Sequence, residues 1–303
     1  DYSQILSQQF NIKEEYAKNI IALLDDGNTI PFIARYRKEM HGSMDDQLIR
    51  EFAEKLEYLR GLDKRRDEIR SLIDAQEKLT DEINLALDKA ATLSELEDIY
   101  RPYRPKRKTR ASIAKEKGLE PLANDILKQE KGFDPSKSAV DYIDEEKGVT
   151  SVEEAIQGAM DIIAELVSDN AEIRKRIRNL TNANGVLVSV ATDEEKDSVY
   201  KNYYDYKEPV KKIAGHRVLA VNRGEKEGFL KVSVETDSEK PLNSIFRAMI
   251  TDKNQLCSDI IREACTDAYQ RLIYPSIERE VRNDLTDTAS ENAMKVFAVN
   301  LKQ

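Results

Sequence analysis

The fold of this chain is decided by one long stretch, Ser43 to Gln76, which reads SMDDQLIREFAEKLEYLRGLDKRRDEIRSLIDAQ. Its apolar residues recur at helical intervals and form one stripe: Leu48, Phe52, Leu56, Leu59, Leu62, Ile69 and Ile73. Ser43, with Asp46 three residues later, predicts a start that resembles a capping box. Gly61 interrupts the pattern at a cost of only about 1 kcal/mol. The stretch therefore predicts a single helix about 50 Å long.

A helix of this length cannot bury its apolar stripe alone, so other helices must pack along it. The segment Asp63 to Glu68 carries only charged residues and predicts either solvent exposure or a bend at that point. We therefore expect a mainly α fold, an elongated multi-helical array. It would contain a long spine helix, a helix-turn-helix-like unit and a few short strands.

Composition restricts the class of protein before any motif is considered. The chain has 303 residues, enough for two or three domains, and a net charge of -9, which argues against a protein that coats nucleic acid with its whole surface. A local basic patch remains compatible with that charge. No apolar run approaches the roughly 18 residues of a membrane span, and Cys257 and Cys265 form neither a C-x-x-C pair nor a disulfide framework. We expect a cytoplasmic protein with no membrane partner, no metal and no cofactor.

The order of predicted elements indicates four regions. Residues 1–131 form an N-terminal helical domain that ends with a basic loop, and residues 132–150 form a linker or small helical hairpin. Residues 151–240 contain the helix-turn-helix-like unit with short strands, and residues 241–303 contain two closing helices. Because the chain starts at Asp1 without Met and stops within a helical pattern, we expect it to be a piece of a longer protein.

Smaller elements are predicted from caps and alternation. A helix is expected from Asn11 to Asp26, with Asn11 as its cap, and another from Pro209 to Asn222. Strands are expected at Gly185 to Ala191 and within Lys226 to Thr236, because both are β-branched or alternating. The last helix is expected to run from Pro275 to Leu301.

The most basic stretch runs from Tyr100 to Arg110, where Pro102 and Pro105 forbid a regular helix. Its candidate nucleic-acid contacts are the six cations and one tyrosine: Arg101, Tyr103, Arg104, Lys106, Arg107, Lys108 and Arg110. Cations bind backbone phosphates, and an exposed tyrosine stacks on unpaired bases. The alternative is that these cations pair with nearby acidic residues such as those between Glu95 and Asp98.

A second candidate is a pair of helices, Ser151 to Val167 and Ala171 to Asn182, joined by a turn of about three residues. The strand that follows them suggests a winged helix-turn-helix. The second helix carries Arg174, Lys175, Arg176 and Arg178; of these, Arg174, Lys175 and Arg178 are our candidate contacts to phosphates or base edges. The alternative is an αα-hairpin whose cations form a solvated face.

Catalytic signals are weak. His41 and His216 lie in different segments without a neighbouring Cys or patterned carboxylate, and the sequence contains no P-loop, G-x-G-x-x-G, G-x-S-x-G or H-E-x-x-H motif. His216 and Arg217 are expected to make structural hydrogen bonds. We therefore predict that the chain is not an enzyme.

Several stretches spread over most of the chain resemble the Tex family of bacterial transcription accessory proteins, which are similar to eukaryotic Spt-type elongation factors. The matching segments are IPFIARYRKE at Ile30 to Glu39, Gly42-Ser43, LEDIYRPY at Leu96 to Tyr103, KRKTR at Lys106 to Arg110, AKEKGLEP at Ala114 to Pro121, His216-Arg217, NRGE at Asn222 to Glu225, and PSIERE at Pro275 to Glu280. The resemblance implies an elongated, mostly helical protein that binds RNA or DNA and acts with the transcription machinery.

In that family the helical part precedes an RNase-H-like domain, a helix-hairpin-helix pair and an OB-fold RNA-binding domain, none of which we expect in this chain. The resemblance also places a helix-turn-helix within residues 151–240, in agreement with the spacing. The leading hypothesis is a non-enzymatic part of a transcription factor that binds nucleic acid weakly by itself. The alternative is a protein-interaction scaffold that docks RNA polymerase or a ribosomal partner without touching nucleic acid.

Overall fold

The structure is a computed structural model that describes residues 1–300, with the side chains of residues 294, 295 and 297–299 left aside. It divides into two compact units, Asp1–Tyr100 and Arg101–Gln303. Helices dominate both units, which confirms the predicted mainly α class. The domain boundaries predicted near residues 131, 150 and 240 remain predictions about independently folding parts.

The first unit is helical throughout. Its helices are α1 (Tyr2–Phe10), α2 (Glu14–Asp25), α3 (Ile30–Tyr36), α4 (Lys38–His41), α5 (Asp46–Asp74), α6 (Asp81–Lys89) and α7 (Leu93–Tyr100). The sequence did not predict α1, and Asn11 ends that helix in a left-handed conformation instead of starting the next. Lys13 occupies the position before α2.

The spine helix is present as α5, a continuous helix of 29 residues. Its cap is Asp45, whose side chain accepts a hydrogen bond from the backbone N–H of Leu48 at 2.8 Å. The predicted start at Ser43 is wrong, because Gly42 and Ser43 both adopt positive φ angles, 67° and 64°. The chain therefore turns before Asp45 and enters the helix only afterwards.

The buried stripe of α5 differs from the predicted one at a single position. Ile49 is fully buried, whereas Leu48 is 42% exposed. The rest of the stripe is buried as predicted except for the partly buried Leu59: Phe52, Leu56, Leu62, Ile69 and Ile73. The helix keeps the predicted periodicity although it starts later, so the buried stripe differs from the predicted one only at its first position.

The charged patch of α5 lies within the continuous helix, and only part of it is exposed to water as expected. Arg66 donates to the backbone carbonyls of Leu87 and Ala90, both at 2.8 Å. Arg65 forms an ion pair with Glu97 at 2.6 Å, in α7. These arginines fix the short helices α6 and α7 against α5 through hydrogen bonds and an ion pair.

The second unit combines helices with a small sheet. Its elements are α8 (Arg110–Glu116), α9 (Glu120–Lys128), α10 (Pro135–Ala139), α11 (Val152–Ser168), α12 (Ala171–Asn184), β1 (Val186–Ala191), β2 (Asp205–Pro209), α13 (Gly215–Lys226), β3 (Leu230–Glu235), α14 (Glu239–Met249), α15 (Gln255–Asp267) and α16 (Tyr274–Asn300). The two predicted helices of the helix-turn-helix-like unit and both predicted strands are therefore present.

The sheet has the strand order β2-β1-β3, and both pairings are antiparallel. Val188 in the central strand lies opposite Lys207 on one side and Ser233 on the other. The sequence did not predict β2, because its residues Asp-Tyr-Lys-Glu-Pro show no apolar alternation. The predicted helix from Pro209 accordingly starts later, at Gly215.

Helix α11 lies at the centre of the second unit and contacts α8, α9, α10 and α15. Gly158 lets one neighbour approach closely, since a Cβ at this position would lie 2.2 Å from Cδ1 of Leu119. At the other end of the unit, α15 continues into α16 through a π-helical segment, Ala268–Ile273. Pro275 lies just after this segment, where its missing N–H leaves a carbonyl of the preceding turn without the usual helical donor. The predicted helix end at Leu301 lies outside the described residues.

Among the described residues, none of the helices combines the length and the apolar character that a membrane crossing requires.

Candidate nucleic-acid interface

The basic loop, defined as residues 101–110, is held at both ends by local structure. It starts with a 3₁₀ turn, Arg101–Tyr103, and it ends at the capping box of α8. There the side chain of Thr109 accepts from the N–H of Ser112 at 3.0 Å, and the Ser112 hydroxyl accepts from the N–H of Thr109 at 2.8 Å. Both ends of the loop are therefore positioned by backbone-directed hydrogen bonds.

Two contacts hold the loop against the carboxyl end of α11. Lys106 forms ion pairs with Glu165, at 3.1 Å, and with Asp169 at the start of the α11–α12 turn. The hydroxyl of Thr109 donates to the other carboxylate oxygen of Glu165 at 2.8 Å. Lys106 is thus used within the fold, as in the alternative interpretation, although its partners Glu165 and Asp169 are not the acidic residues suggested from sequence.

The remaining predicted contacts in the loop fall into two groups. Arg101 donates to the hydroxyl of Ser276 at 3.1 Å, and Tyr103 and Arg104 also have partners within the chain. Three cations are exposed and form no hydrogen bond or ion pair with another described residue: Arg107, Lys108 and Arg110. The structure therefore displays three adjacent positive side chains on a loop whose flanking residues are anchored.

The arginines of α12 are placed differently from the prediction. Arg174 is 0% exposed and donates to the carbonyl of Ser168 at 3.3 Å and to the hydroxyl of Ser276 at 2.7 Å. Both Arg174 and Arg178 form ion pairs with Glu280 of α16, at 3.4 and 2.8 Å. The expectation that these two arginines face outward is wrong, because burial of their charge is compensated by partners inside the fold.

The signal that sequence reasoning missed lies in α16. Ser276 and Glu280 are four residues apart and share a helical face, and so do Arg174 and Arg178. Two helical faces whose side chains have this matching spacing can pack side by side, with the arginines of one opposite the oxygen acceptors of the other. On α12 itself, Lys175 is exposed and has a partner within the chain, whereas the exposed Arg176 was left out of the candidate contacts.

The two histidines have ordinary surroundings. His41 is fully buried; its Nδ1 accepts from the N–H of Met44 at 2.9 Å, so its Nε2 carries the proton and donates to the carbonyl of Ile33 at 2.9 Å. His216 lies at the exposed start of α13. Within the described residues, no three His, Cys, Asp or Glu side chains are grouped as a metal site would require.

Arg217, beside His216, joins α13 to the edge strand β2. It forms an ion pair with Glu208 at 3.0 Å, and the hydroxyl of Tyr206 donates to the same carboxylate. The hydrogen bond from Tyr206 and the charge of Arg217 together hold the pKa of Glu208 below its usual range, against the opposing effect of partial burial. This agrees with the structural hydrogen bonds expected for the segment.

Two family models match the chain: a Tex-like protein N-terminal domain over residues 1–74 and a Tex central region over residues 130–297. YdcI of Bacillus subtilis is 43% identical over 99% of this chain and 42% of its own length. The transcriptional accessory protein Tex of Neisseria gonorrhoeae is 36% identical over 99% of this chain and 40% of its own length.

A human relative, S1 RNA-binding domain-containing protein 1, is 30% identical over the whole chain and 32% of its own length. The chain thus spans about two fifths of the length of the bacterial relatives it matches and a third of the human one.

Proposed function

Since the chain belongs to the Tex family, we propose that it is a non-enzymatic part of a transcription accessory factor and that it contacts nucleic acid through its basic loop. The names of two relatives support the proposal, because one is a transcriptional accessory protein and another carries an S1 RNA-binding domain. In the intact protein this part would act together with further domains and with the transcription machinery.

The observation that carries the proposal is a set of exposed cations that have no partner among the described residues: Arg107, Lys108 and Arg110. A cation already paired within the fold must give up its partner before it can bind a phosphate, whereas these three have no described partner to give up. Each phosphate that they neutralise releases condensed counterions, which makes binding favourable and dependent on salt. In a chain of net charge -9 the attraction must be local to such a patch.

The other residues of the loop have supporting roles in this proposal. Lys106 and Thr109 hold the loop on α11, and Arg101 holds its first turn on α16. Arg104 is exposed and extends the cationic surface, and the half-buried Tyr103 adds a ring beside it. Anchoring matters because a loop that is already ordered loses less conformational entropy when it binds.

The test is a titration of fluorescent single-stranded and double-stranded oligonucleotides by anisotropy between 20 and 200 mM salt, a range chosen because weak phosphate contacts are strong only at low salt. The variant replaces Arg107, Lys108 and Arg110 together by Ala. We expect weaker binding and a salt slope for the single strand that falls by about 2, since each phosphate contact contributes about 0.7.

The matched control removes the same charge elsewhere, at the exposed residues Lys131, Lys137 and Lys253. Equal losses in the two triple variants would show a general charge effect and contradict a role for the loop. Binding unchanged by the loop variant would do the same, and would favour the scaffold alternative, in which RNA polymerase or a ribosomal partner is the ligand.

A further inference from the structure

We propose that a groove between α12 and α14 binds the phosphate backbone of a nucleic-acid strand. The proposal deepens the function proposed above, because the ligand class is the same, but it assigns a different site with different residues. The groove has a volume of about 640 Å³, within the range of about 300–1,000 Å³ that is usual for ligand clefts.

Each wall of the groove is one stripe of a helix. α12 contributes Arg176, Asn179, Leu180 and Ala183. α14 contributes Lys240, Asn243, Ser244 and Arg247. Both sets follow the spacing i, i+3, i+4, i+7, which places four side chains in a row on one helical face. The lining thus combines polar side chains from both helices with the apolar Leu180 and Ala183 of α12.

The charge of the lining has one sign. Arg176, Lys240 and Arg247 are exposed, and none of them forms an ion pair with another described residue. No carboxylate is found among the described residues that line the groove. A cleft lined by one sign of charge focuses the potential and concentrates the opposite charge, so a polyanion is the ligand that this lining favours.

The burial of the α12 arginines sets the orientation of this wall. Two residues along an α-helix turn it by about 200°, so Arg176 points away from the side on which Arg174 meets α16. The ion pairs of Arg174 and Arg178 with Glu280 therefore also fix which face of α12 lines the groove. Arg174 and Arg178 thus hold the helix in the fold, whereas Arg176 of the same cationic run lines the groove.

The opposite wall is fixed by apolar packing. Pro241 and Ile245 of α14 are buried in the unit, and the ring of Phe246 lies 4.5 Å from the guanidinium of Arg262 in α15. Lys240 and Arg247 are seven residues apart, or about 10 Å along the helix axis. Two cations this far apart can contact different phosphates of one strand.

A second groove of the same volume, in the first unit, shows that size alone does not indicate this ligand. It lies along α5 and is lined by Lys64, Asp67, Glu68, Ser71 and Leu72. Two carboxylates beside one lysine would repel a phosphate backbone. The α12–α14 groove differs from it in charge and in its two carboxamide side chains, Asn179 and Asn243, which can donate to phosphate oxygens.

The first test replaces Arg176, Lys240 and Arg247 together by Ala in the 303-residue chain. We expect weaker binding of a single-stranded oligonucleotide and a salt slope lower by about 2, against no more than a small change for the Lys131, Lys137 and Lys253 control. Unfolding curves of each variant exclude loss of fold as the cause. A groove variant that binds like the control overturns the proposal.

The second test reports on the groove directly. An Ala183→Cys variant places a thiol at an exposed position of the groove lining, where a fluorophore can be attached. The native Cys257 and Cys265 are buried, and burial raises both thiol pKa values, that of Cys265 to about 12, so they react slowly. We expect the fluorophore signal to change with oligonucleotide and to saturate with the anisotropy signal. A silent fluorophore at saturating oligonucleotide overturns the proposal.

Combining the variants separates this proposal from the previous one. If the loop variant binds normally while the groove fluorophore responds, the role of the basic loop is refuted and that of the groove stands. If the loop variant loses binding, and the groove fluorophore gives no signal change in a chain with the native loop, the role of the groove is refuted and that of the basic loop stands. A third measurement replaces the oligonucleotide by inorganic polyphosphate at equal phosphate concentration. If polyphosphate changes the fluorophore signal as much as the oligonucleotide does, the assignment to a nucleic-acid strand is overturned.

Discussion

The basic loop and helix α12 are both rich in cations, and the fold uses them in opposite ways. The loop leaves Arg107 and Lys108 exposed, with no partner in the part of the chain that the structure describes, whereas Arg174 and Arg178 of α12 are buried in the fold. Prolines prevent regular structure in the loop, so its side chains have no common face to bury. A helix has such a face, and cations spaced four apart on it meet whatever acceptors lie opposite.

Burial of a guanidinium is costly unless its donors find acceptors, so the α12 arrangement depends on α16. Ser276 and Glu280 supply those acceptors. The comparison teaches that a run of cations has no fixed meaning in sequence. Its role depends on whether a second element at the same spacing carries oxygen acceptors. The predictions below test the buried cations of α12, the exposed cations of the basic loop, and ion pairs of intermediate burial.

The largest effect is expected for Arg174→Ala. Removal of this buried cation leaves the Ser168 carbonyl and the Ser276 hydroxyl without it and opens a cavity. Breaking a buried ion pair costs about 3–5 kcal/mol, and because Glu280 keeps Arg178 as a partner we expect about 3 kcal/mol here. The free energy of unfolding in urea measures it.

The matched control is Arg176→Ala, two residues away on the same helix and exposed. It should change the free energy of unfolding by no more than about 0.5 kcal/mol. If both variants lose the same stability, Arg174 is not bound as the structure shows and the contrast between the two faces of α12 disappears.

The next effect is expected for Glu165→Ala, which removes the acceptor of both Lys106 and Thr109. Hydrogen bonds to a charged group contribute about 1.5–3 kcal/mol, and partial exposure of this carboxylate lowers the expected cost to about 1–2 kcal/mol. The loop should also become more mobile, so trypsin should cleave it faster after Arg107 or Lys108. Glu153→Ala, an exposed carboxylate on the same helix, is the control; equal cleavage rates would contradict the anchoring role.

How much of the structure can be predicted from the sequence depends on how far apart in the sequence the interacting residues lie. The long helix, the two helices after Ser151 and the strands at Val186 and Leu230 follow from local periodicity, and all are present. The start of α5 was misjudged because Ser43 and Asp45 both fit a cap by composition. Only the positive φ angles at Gly42 and Ser43 decide between them.

The site was less predictable than the fold because its outcome depends on pairings over long separations. Arg174 meets Glu280 at a separation of 106 residues, and Lys106 meets Asp169 at 63. A sequence shows which side chains carry charge, but not which of them are satisfied. Strand β2 was missed for a related reason, since its pairing with β1 and not its own pattern makes it a strand.

A smaller effect is expected from acid at the Arg217–Glu208 ion pair, which lies between the two extremes in exposure. The pKa of Glu208 is lowered in the folded protein, so the folded state binds its proton less readily than the unfolded state. Its contribution to stability is therefore present above the unfolded value, about 4.3, and is lost as pH falls through the lower folded value.

Glu208→Gln should accordingly flatten the fall in stability below about pH 4.3 and lower stability slightly at neutral pH. Urea unfolding from pH 3 to pH 7 measures both. Glu194→Gln, an exposed carboxylate without a partner among the described residues, should leave the acid slope as it is. An acid slope that is the same in the Glu208 variant and in the native chain would exclude a stabilising role for this pair.

The smallest effect on stability is expected for the exposed cations of the basic loop, whose replacement should have the largest effect on binding. Replacing Arg107, Lys108 and Arg110 by Ala should change the free energy of unfolding by less than about 0.5 kcal/mol, because none of them contacts a described partner and their mutual repulsion is removed. Lys106→Ala beside Arg107→Ala is the sharpest comparison, since the first loses two ion pairs and the second loses none. If Arg107→Ala were the more destabilising of these neighbours, the exposed cations would be serving the fold, and the proposed division between anchoring and binding residues would fail at the loop itself.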